Sequence, residues 1–118
     1  MYELIFYTTA HEESPVDEFL DALGSKQRAK VQRFLGHLKA IGPDLARPYA
    51  DALRGKIREL RVPYGRQHFR LLYFFCGKTI VVTSGFVKKT AEVPEGEIER
   101  AVRRMEDWTY RRVRTGEA

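Results

Sequence analysis

At 118 residues and 13.7 kDa the chain has room for one hydrophobic core and not two. With 43% hydrophobic and 31% charged residues a packed core is expected and wholesale disorder is excluded, while no apolar stretch nears the roughly 20 residues of a membrane-spanning helix. The net charge of +5 favours a polyanionic partner, and the single cysteine, Cys76, excludes a disulfide framework or a multi-cysteine metal site.

The start, Met1-Tyr-Glu-Leu-Ile5, lacks the basic end and small-residue cleavage site of a signal peptide, so a reducing, cytoplasmic setting is expected. Residues Tyr2 to Tyr7 alternate and are rich in β-formers, which predicts a first strand. Ser14-Pro15-Val-Asp-Glu18 supplies an N-cap, a proline at the first helical position and acids in the first turn. Phe19, Leu20 and Leu23 give that helix its apolar face, and Gly24 ends it. Ser25 begins a second helix with Val31, Phe34, Leu35, Leu38 and Ile41 at helical spacing, stopped by Gly42-Pro43-Asp44. Three β-like runs follow, Ile57 to Val62, Phe69 to Phe75 and Thr79 to Phe86, joined by connections short enough for antiparallel hairpins. Cys76 closes the run Leu72-Leu-Tyr-Phe-Phe-Cys76 as a small hydrophobe. Pro94, Glu95 and Glu97 open a last helix with Ile98, Ala101, Val102 and Met105 on one face and Trp108 continuing it. His11 and His37 read as surface residues. The order βαα-βββ-α predicts an α+β fold with helices packed on one face of an antiparallel sheet. No repeat or linker divides residues 1–118, which are read as a single domain with a tail, 110–118, expected to fray.

The charge is unevenly placed. Between Arg54 and Lys89 nine Lys/Arg stand against one acid, Glu59, a net +8. Arg66, His68 and Arg70 share one face of a strand while Phe69, Leu71, Tyr73 and Phe75 take the other. A plain structural account pairs Arg70 with Glu59 across neighbouring strands on a solvated face. The functional account notes that Lys88-Lys89 follow the next strand, so that three elements deliver cations to one cleft. Lys56, Arg58 and Arg66 of this run are candidate RNA contacts, and Tyr64 either stacks on a base or shields the hairpin end.

No paired carboxylates, HExxH motif or spaced His/Cys set offers a metal site, so no cofactor is expected, and neither GxxxxGK[ST] nor GxGxxG occurs. RNA cleavage asks for less, because the 2′-hydroxyl of the substrate is its own nucleophile. Arg and Lys stabilise the phosphate, and His, Lys or Tyr move the protons.

The runs Glu59-Leu-Arg61, Phe69-Arg-Leu-Leu-Tyr-Phe74 and Gly85-Phe-Val-Lys-Lys-Thr90, then Pro94 and Glu97-Ile-Glu-Arg-Ala101, resemble the phage Gp49-like, HigB-like branch of the RelE/HigB/ParE toxin superfamily. The resemblance implies a type II toxin, partnered by an antitoxin that is a HigA-like helix-turn-helix protein, which cleaves mRNA on the ribosome without a metal. It implies that Arg70 holds the scissile phosphate, that Lys88 and Lys89 bind backbone or stabilise the transition state, and that Arg61 contacts neighbouring phosphates. Many relatives carry a histidine just before the Gly-Phe pair, where this chain has Ser84. That departure leaves proton transfer to His68 or to the two lysines. Two other functions stay open within the superfamily: a ParE-like gyrase inhibitor without catalysis, and an inactive phage-derived RNA-binding protein.

Overall fold

The computed structural model describes residues 2–116. Strand β1 (Glu3–Phe6) is followed by helices α1 (Pro15–Asp21) and α2 (Ser25–Ile41) and a 3-10 turn over Gly42–Asp44. Strands β2 (Ala50–Arg54), β3 (Ile57–Tyr64), β4 (Gln67–Cys76) and β5 (Thr79–Val87) come next, then helix α3 (Glu95–Arg114). The α+β class holds. The predicted helix starts hold as well: Ser14 Oγ accepts a hydrogen bond from the Asp17 N–H at 3.3 Å, with Pro15 at the first helical position.

The sheet order is β1-β5-β4-β3-β2. Strands β2 to β5 form antiparallel hairpins, but β1 lies parallel to β5, with Glu3 opposite Thr79. The expected all-antiparallel sheet is therefore corrected at one edge, where the α1–α2 hairpin carries the chain away from β1 before the other strands form. Strand β2 lies outside the predicted runs. Its sequence, Ala-Asp-Ala-Leu-Arg, carries no β-branched residue, and it is an edge strand that pairs with β3 alone. The three hairpins turn on two residues each, Gly55-Lys56, Gly65-Arg66 and Gly77-Lys78, with φ between +53° and +59° at the glycines and the following residue on the negative side. A positive φ at the first central residue only is the type II′ pattern, open to glycine at little cost.

The helices do not share one face, and that expectation is corrected too. Val16 and Leu20 of α1 and Val31, Leu35 and Leu38 of α2 pack with Leu60, Val62, Phe69, Leu71 and Tyr73 on one side. Ala101, Val102, Met105 and Trp108 of α3 pack with Ile57, Leu72, Phe74 and Val81 on the other. The physical reason lies in β4, where residues 69 to 74 are buried without a break because both parities meet a helix. Trp108 stands edge-on to Phe74, with ring centroids 5.6 Å apart.

Gly85 faces α1, where a Cβ would sit 2.5 Å from the Phe19 ring; its lack of a side chain lets helix and strand approach. The segment from Tyr110, expected to fray, remains helical to Arg114. Arg111 holds it by pairing with Asp107 at 2.9 Å and donating to the Thr8 carbonyl, and the Arg112 guanidinium lies 5.0 Å over Trp108. Residues 117 and 118 of that segment lie outside the described residues.

Candidate functional site

Strand parity builds the site. Glu59 and Arg61 of β3 share the α3 face with Ile57, and His68 and Arg70 of β4 share it with Leu72. Arg61 and Arg70 are directly opposite across the two strands, an arrangement of like charges that is destabilising unless an anion intervenes. Glu59 intervenes. Its Oε1 accepts from Arg70 Nε at 2.9 Å and from Arg61 Nε at 3.3 Å, which realises the Arg70–Glu59 pairing anticipated from the sequence. Glu59 and Arg70 are both buried, and Arg70 Nη1 also donates to the Phe69 carbonyl at 3.2 Å. Burial pulls the Arg70 guanidinium below its ordinary value, and the Glu59 carboxylate counters that pull.

On the β2 side, Asp51 accepts from Arg61 Nη2 at 3.4 Å and from Arg47 Nε at 2.7 Å. The Arg47 hydrogen bond is the main cause that holds the Asp51 carboxyl below its usual range. Arg54 grips Glu95 with two donors, one at 2.8 Å, and so ties β2 to the first turn of α3. Glu95 is held low by that bond. Between these groups lies a cleft of about 570 Å³, lined by Glu59, Arg61, Arg70, Lys88 and Ile98 with the Arg54–Glu95 pair.

Lys88 reaches this cleft because of an irregularity in β5. Tyr73 pairs with Val82 and Leu72 with Ser84, so Thr83 is an extra residue, a β-bulge. Before it, Ile80 and Val82 face α1 and α2; beyond it, Gly85 and Val87 take that face and Ser84, Phe86 and Lys88 turn to α3. The Lys88 N–H donates to the His68 carbonyl at 2.7 Å, which continues the ladder. Without the bulge the same lysine would project from the opposite side of the sheet. Arg104 of α3 holds the bulge: its Nη1 donates to the Thr83 carbonyl at 2.9 Å and to Ser84 Oγ at 3.0 Å. Thr83 Oγ1 in turn donates to the Leu72 carbonyl at 3.2 Å. Lys88 Nζ rests on the Thr90 and Ala91 carbonyls, each at 3.0 Å.

Of the residues singled out from the sequence, the structure thus brings Arg61, Arg70 and Lys88 together. His68 is exposed at the start of β4, on the same face as Arg70, and Lys89 is exposed beyond the end of β5. Arg66 is exposed at the tip of the β3–β4 turn. Lys56 occupies the β2–β3 turn beside a different hollow, with Phe74, Cys76 and Met105. Arg58 and Tyr64 have the parity of Leu60 and Val62 and therefore lie on the α2 side, where the Tyr64 ring is 6.4 Å from Phe69. Sequence reasoning passed over Asp51, Glu95, Thr83 and Arg104, which come from an unpredicted strand, a helix start and a distant helix. Among the described residues, no three His, Cys, Asp or Glu side chains converge as a metal-holding group, and no helix is long and apolar enough to cross a membrane.

Residues 18–106 match the family described as phage derived protein Gp49-like. A curated relative from Mycobacterium tuberculosis, named "Probable endoribonuclease HigB1", is 37% identical over 92 residues, which cover 75% of this chain and 69% of the relative. Among solved structures, the isolated E. coli RelE toxin superposes with a TM-score of 0.52 at 24% identity, covering 89% of this chain and 99% of that one. A chain of the intact E. coli RelBE toxin–antitoxin complex gives a TM-score of 0.48 at 18% identity, over 78% of this chain and all of that one.

Proposed function

Because the chain belongs to the phage-derived Gp49-like family, we propose that it is an endoribonuclease, the toxin of a type II toxin–antitoxin pair that cleaves mRNA on the ribosome. The observation that carries this reading is the cleft in which Arg61 and Arg70 hold the Glu59 carboxylate between them and Lys88 lines the same hollow. Three cations lining one cleft against a single buried acid, two of them bonded to it, form a site that an incoming phosphate completes. Arg70 commits Nε and Nη1 to the protein, leaving its remaining N–H donors for a ligand in the cleft.

In the reaction the 2′-oxygen of the RNA attacks the adjacent phosphorus and its proton passes to a base. The bond from phosphorus to the 5′-oxygen breaks, and that oxygen takes up a proton. The products are a 2′,3′-cyclic phosphate and a free 5′-hydroxyl. Arg61, Arg70 and Lys88 stabilise the extra charge on the pentacoordinate phosphate. His68, exposed on the Arg70 face of β4 two residues before it, is the proton acceptor, and Lys88 and Lys89 are its competitors for that role. Among the described residues the cleft is lined by phosphate ligands and by no imidazole. This supports dependence on the ribosome, which presents the strand in a reactive geometry. The partner is a HigA-like helix-turn-helix antitoxin, and the setting is the cytoplasm.

The test is single-turnover cleavage on programmed ribosomes, with mapping of mRNA 5′ ends and plasmid supercoiling followed in parallel in induced cells. Codon-phased cuts that vanish in Arg70→Met support the reading. Intact mRNA with double-strand DNA breaks overturns it in favour of a gyrase poison, and binding without either effect overturns it in favour of an inactive RNA-binding protein.

A further inference from the structure

Helix α2 carries five cations, Lys26, Arg28, Lys30, Arg33 and Lys39, and no acid, so this one element holds as much positive charge as the chain's net +5. The basic residues between Arg54 and Lys89 are therefore not the only reservoir. Among the described residues, Arg28 alone of the five donates a hydrogen bond within the chain, to the Leu20 carbonyl at 2.9 Å and the Leu23 carbonyl at 3.1 Å. No ion pair among the described residues involves an α2 side chain. By contrast α3 interleaves its arginines with Glu97 and Asp107, which pair with them.

Three of the remaining cations are aligned. Lys26, Lys30 and Arg33 fall at i, i+4 and i+7, and the His37 ring continues the line at i+11, a single stripe about 16 Å long at 1.5 Å per residue. Aromatic rings lie among them. Lys30 Nζ is 5.9 Å from the Phe34 ring and 5.8 Å from the Tyr64 ring, and Phe34 stands edge-on to Tyr49 at 6.1 Å. Tyr49 is 51% exposed beside a hollow of about 370 Å³ next to Phe34 and His37. Uncompensated cations interleaved with accessible rings suit a ligand that is both polyanionic and flat-ringed. An acidic peptide would satisfy the charge but would leave the rings without a purpose.

The stripe lies on the α2 side of the sheet, the cleft on the α3 side. The β3–β4 turn joins the strands that carry the cleft's Arg61 and Arg70, and α2 reaches it: Gln27 Nε2 donates to Gln67 Oε1 at 2.6 Å, Arg66 is exposed there, and Tyr64 ends β3 beneath Lys30. We propose that the α2 stripe is a second RNA-binding surface, which takes the phosphodiester backbone of the RNA that leaves the cleft over the β3–β4 turn. The inference rests on the ribonuclease reading and extends its substrate site. It also assigns Tyr64, which parity removes from the cleft, to the RNA path on the other side.

The test compares wild type, the stripe variant Lys26→Gln, Lys30→Gln, Arg33→Gln and the cleft variant Arg61→Gln, for binding to a long single-stranded RNA and for cleavage on programmed ribosomes. Each neutralised contact removes about 0.7 from the slope of log affinity against log salt, so the stripe variant is expected to lose about two units. Its KM is expected to rise roughly tenfold or more while kcat at saturation holds; the cleft variant loses kcat. An unchanged slope and KM in the stripe variant overturns the proposal. So does unchanged RNA binding with lost binding to the antitoxin, which would make the stripe a protein interface. Absence of cleavage by the wild type sinks the ribonuclease reading alone, because the salt slopes still decide whether α2 holds RNA.

Discussion

Arg104→Met tests the link between the β5 bulge and the cleft. Methionine keeps the aliphatic stem but removes the donor that serves the Thr83 carbonyl at 2.9 Å and Ser84 Oγ at 3.0 Å. Hydrogen bonds from a charged donor contribute about 1.5–3 kcal/mol, and the relief of Arg104's desolvation offsets part of that. A loss of about 2 kcal/mol is expected, or a fall of about 8 °C in Tm at roughly 4 °C per kcal/mol for a domain of this size. The loss should be local. Amide exchange should quicken from Ser84 to Lys88, including the Lys88 N–H on the His68 carbonyl, and stay unchanged from Ile80 to Val82. RNA cleavage should fall with it, and Lys88→Met added to Arg104→Met should cost little more than either change alone, since both act through the same lysine. A Tm within a degree of wild type with an unaltered Lys88 exchange rate would show that the bulge stands without Arg104. Additive losses in the double variant would show that Arg104 acts on RNA directly.

Arg70→Ala leaves Glu59 buried beside Arg61 alone and should cost about 3 kcal/mol in urea unfolding; adding Glu59→Gln should restore most of the stability and none of the cleavage. Gly85→Ala places a methyl 2.5 Å from the Phe19 ring and should destabilise by about 1–3 kcal/mol, with Phe19→Leu recovering part of it; equal melting temperatures for Gly85→Ala and wild type would refute the close approach. Asp51 and Glu95 have depressed values in the folded state, so their contribution is present above about pH 4.5 and lost as the pH falls through those values. Melting temperatures scanned from pH 6 to about 3 should therefore drop less steeply in Asp51→Asn with Glu95→Gln than in wild type. His68→Gln should reduce single-turnover cleavage by about 10²–10⁴-fold with ribosome binding intact, and a loss below tenfold would move the proton transfer to the lysines.

Much of this architecture is legible in the residues themselves. Ser14-Pro15 and Pro94 with Glu95 and Glu97 mark helix starts that the structure keeps. Strand β2 is not legible by propensity, since Ala50–Arg54 contains nothing β-branched; the signal available was Gly55-Lys56, which has the same Gly-basic form as Gly65-Arg66 and Gly77-Lys78. Two-sided helix packing was present in Leu72 and Phe74, apolar at the parity opposite to Phe69, Leu71 and Tyr73. The same parity argument separates Arg58 and Tyr64 from Glu59 and Arg61 before any coordinate is known. The bulge was not legible. Nothing in Val81-Val-Thr-Ser-Gly85 announces an extra residue, and the side chain that hydrogen-bonds to it, Arg104, sits twenty residues away from Ser84 on another element. The convergence of Lys88 with Arg70 is thus legible from the order of the strands, whereas the face on which Lys88 emerges is not legible from counting along β5.

The parallel edge has a consequence for how the chain is made. Glu3 finds its ladder partner only at Thr79, 76 residues later. At roughly 5–20 residues per second, β1 waits about 4–15 s after leaving the ribosome's synthetic centre before a strand exists for it to join. Lys88, Glu95 and Ile98, which finish the cleft, emerge later still. The order of synthesis therefore works as a clock. A nascent chain carries exposed arginines and an unpaired strand edge long before it carries a competent site, and a chain stopped short of β5 has neither its closing edge nor its lysine.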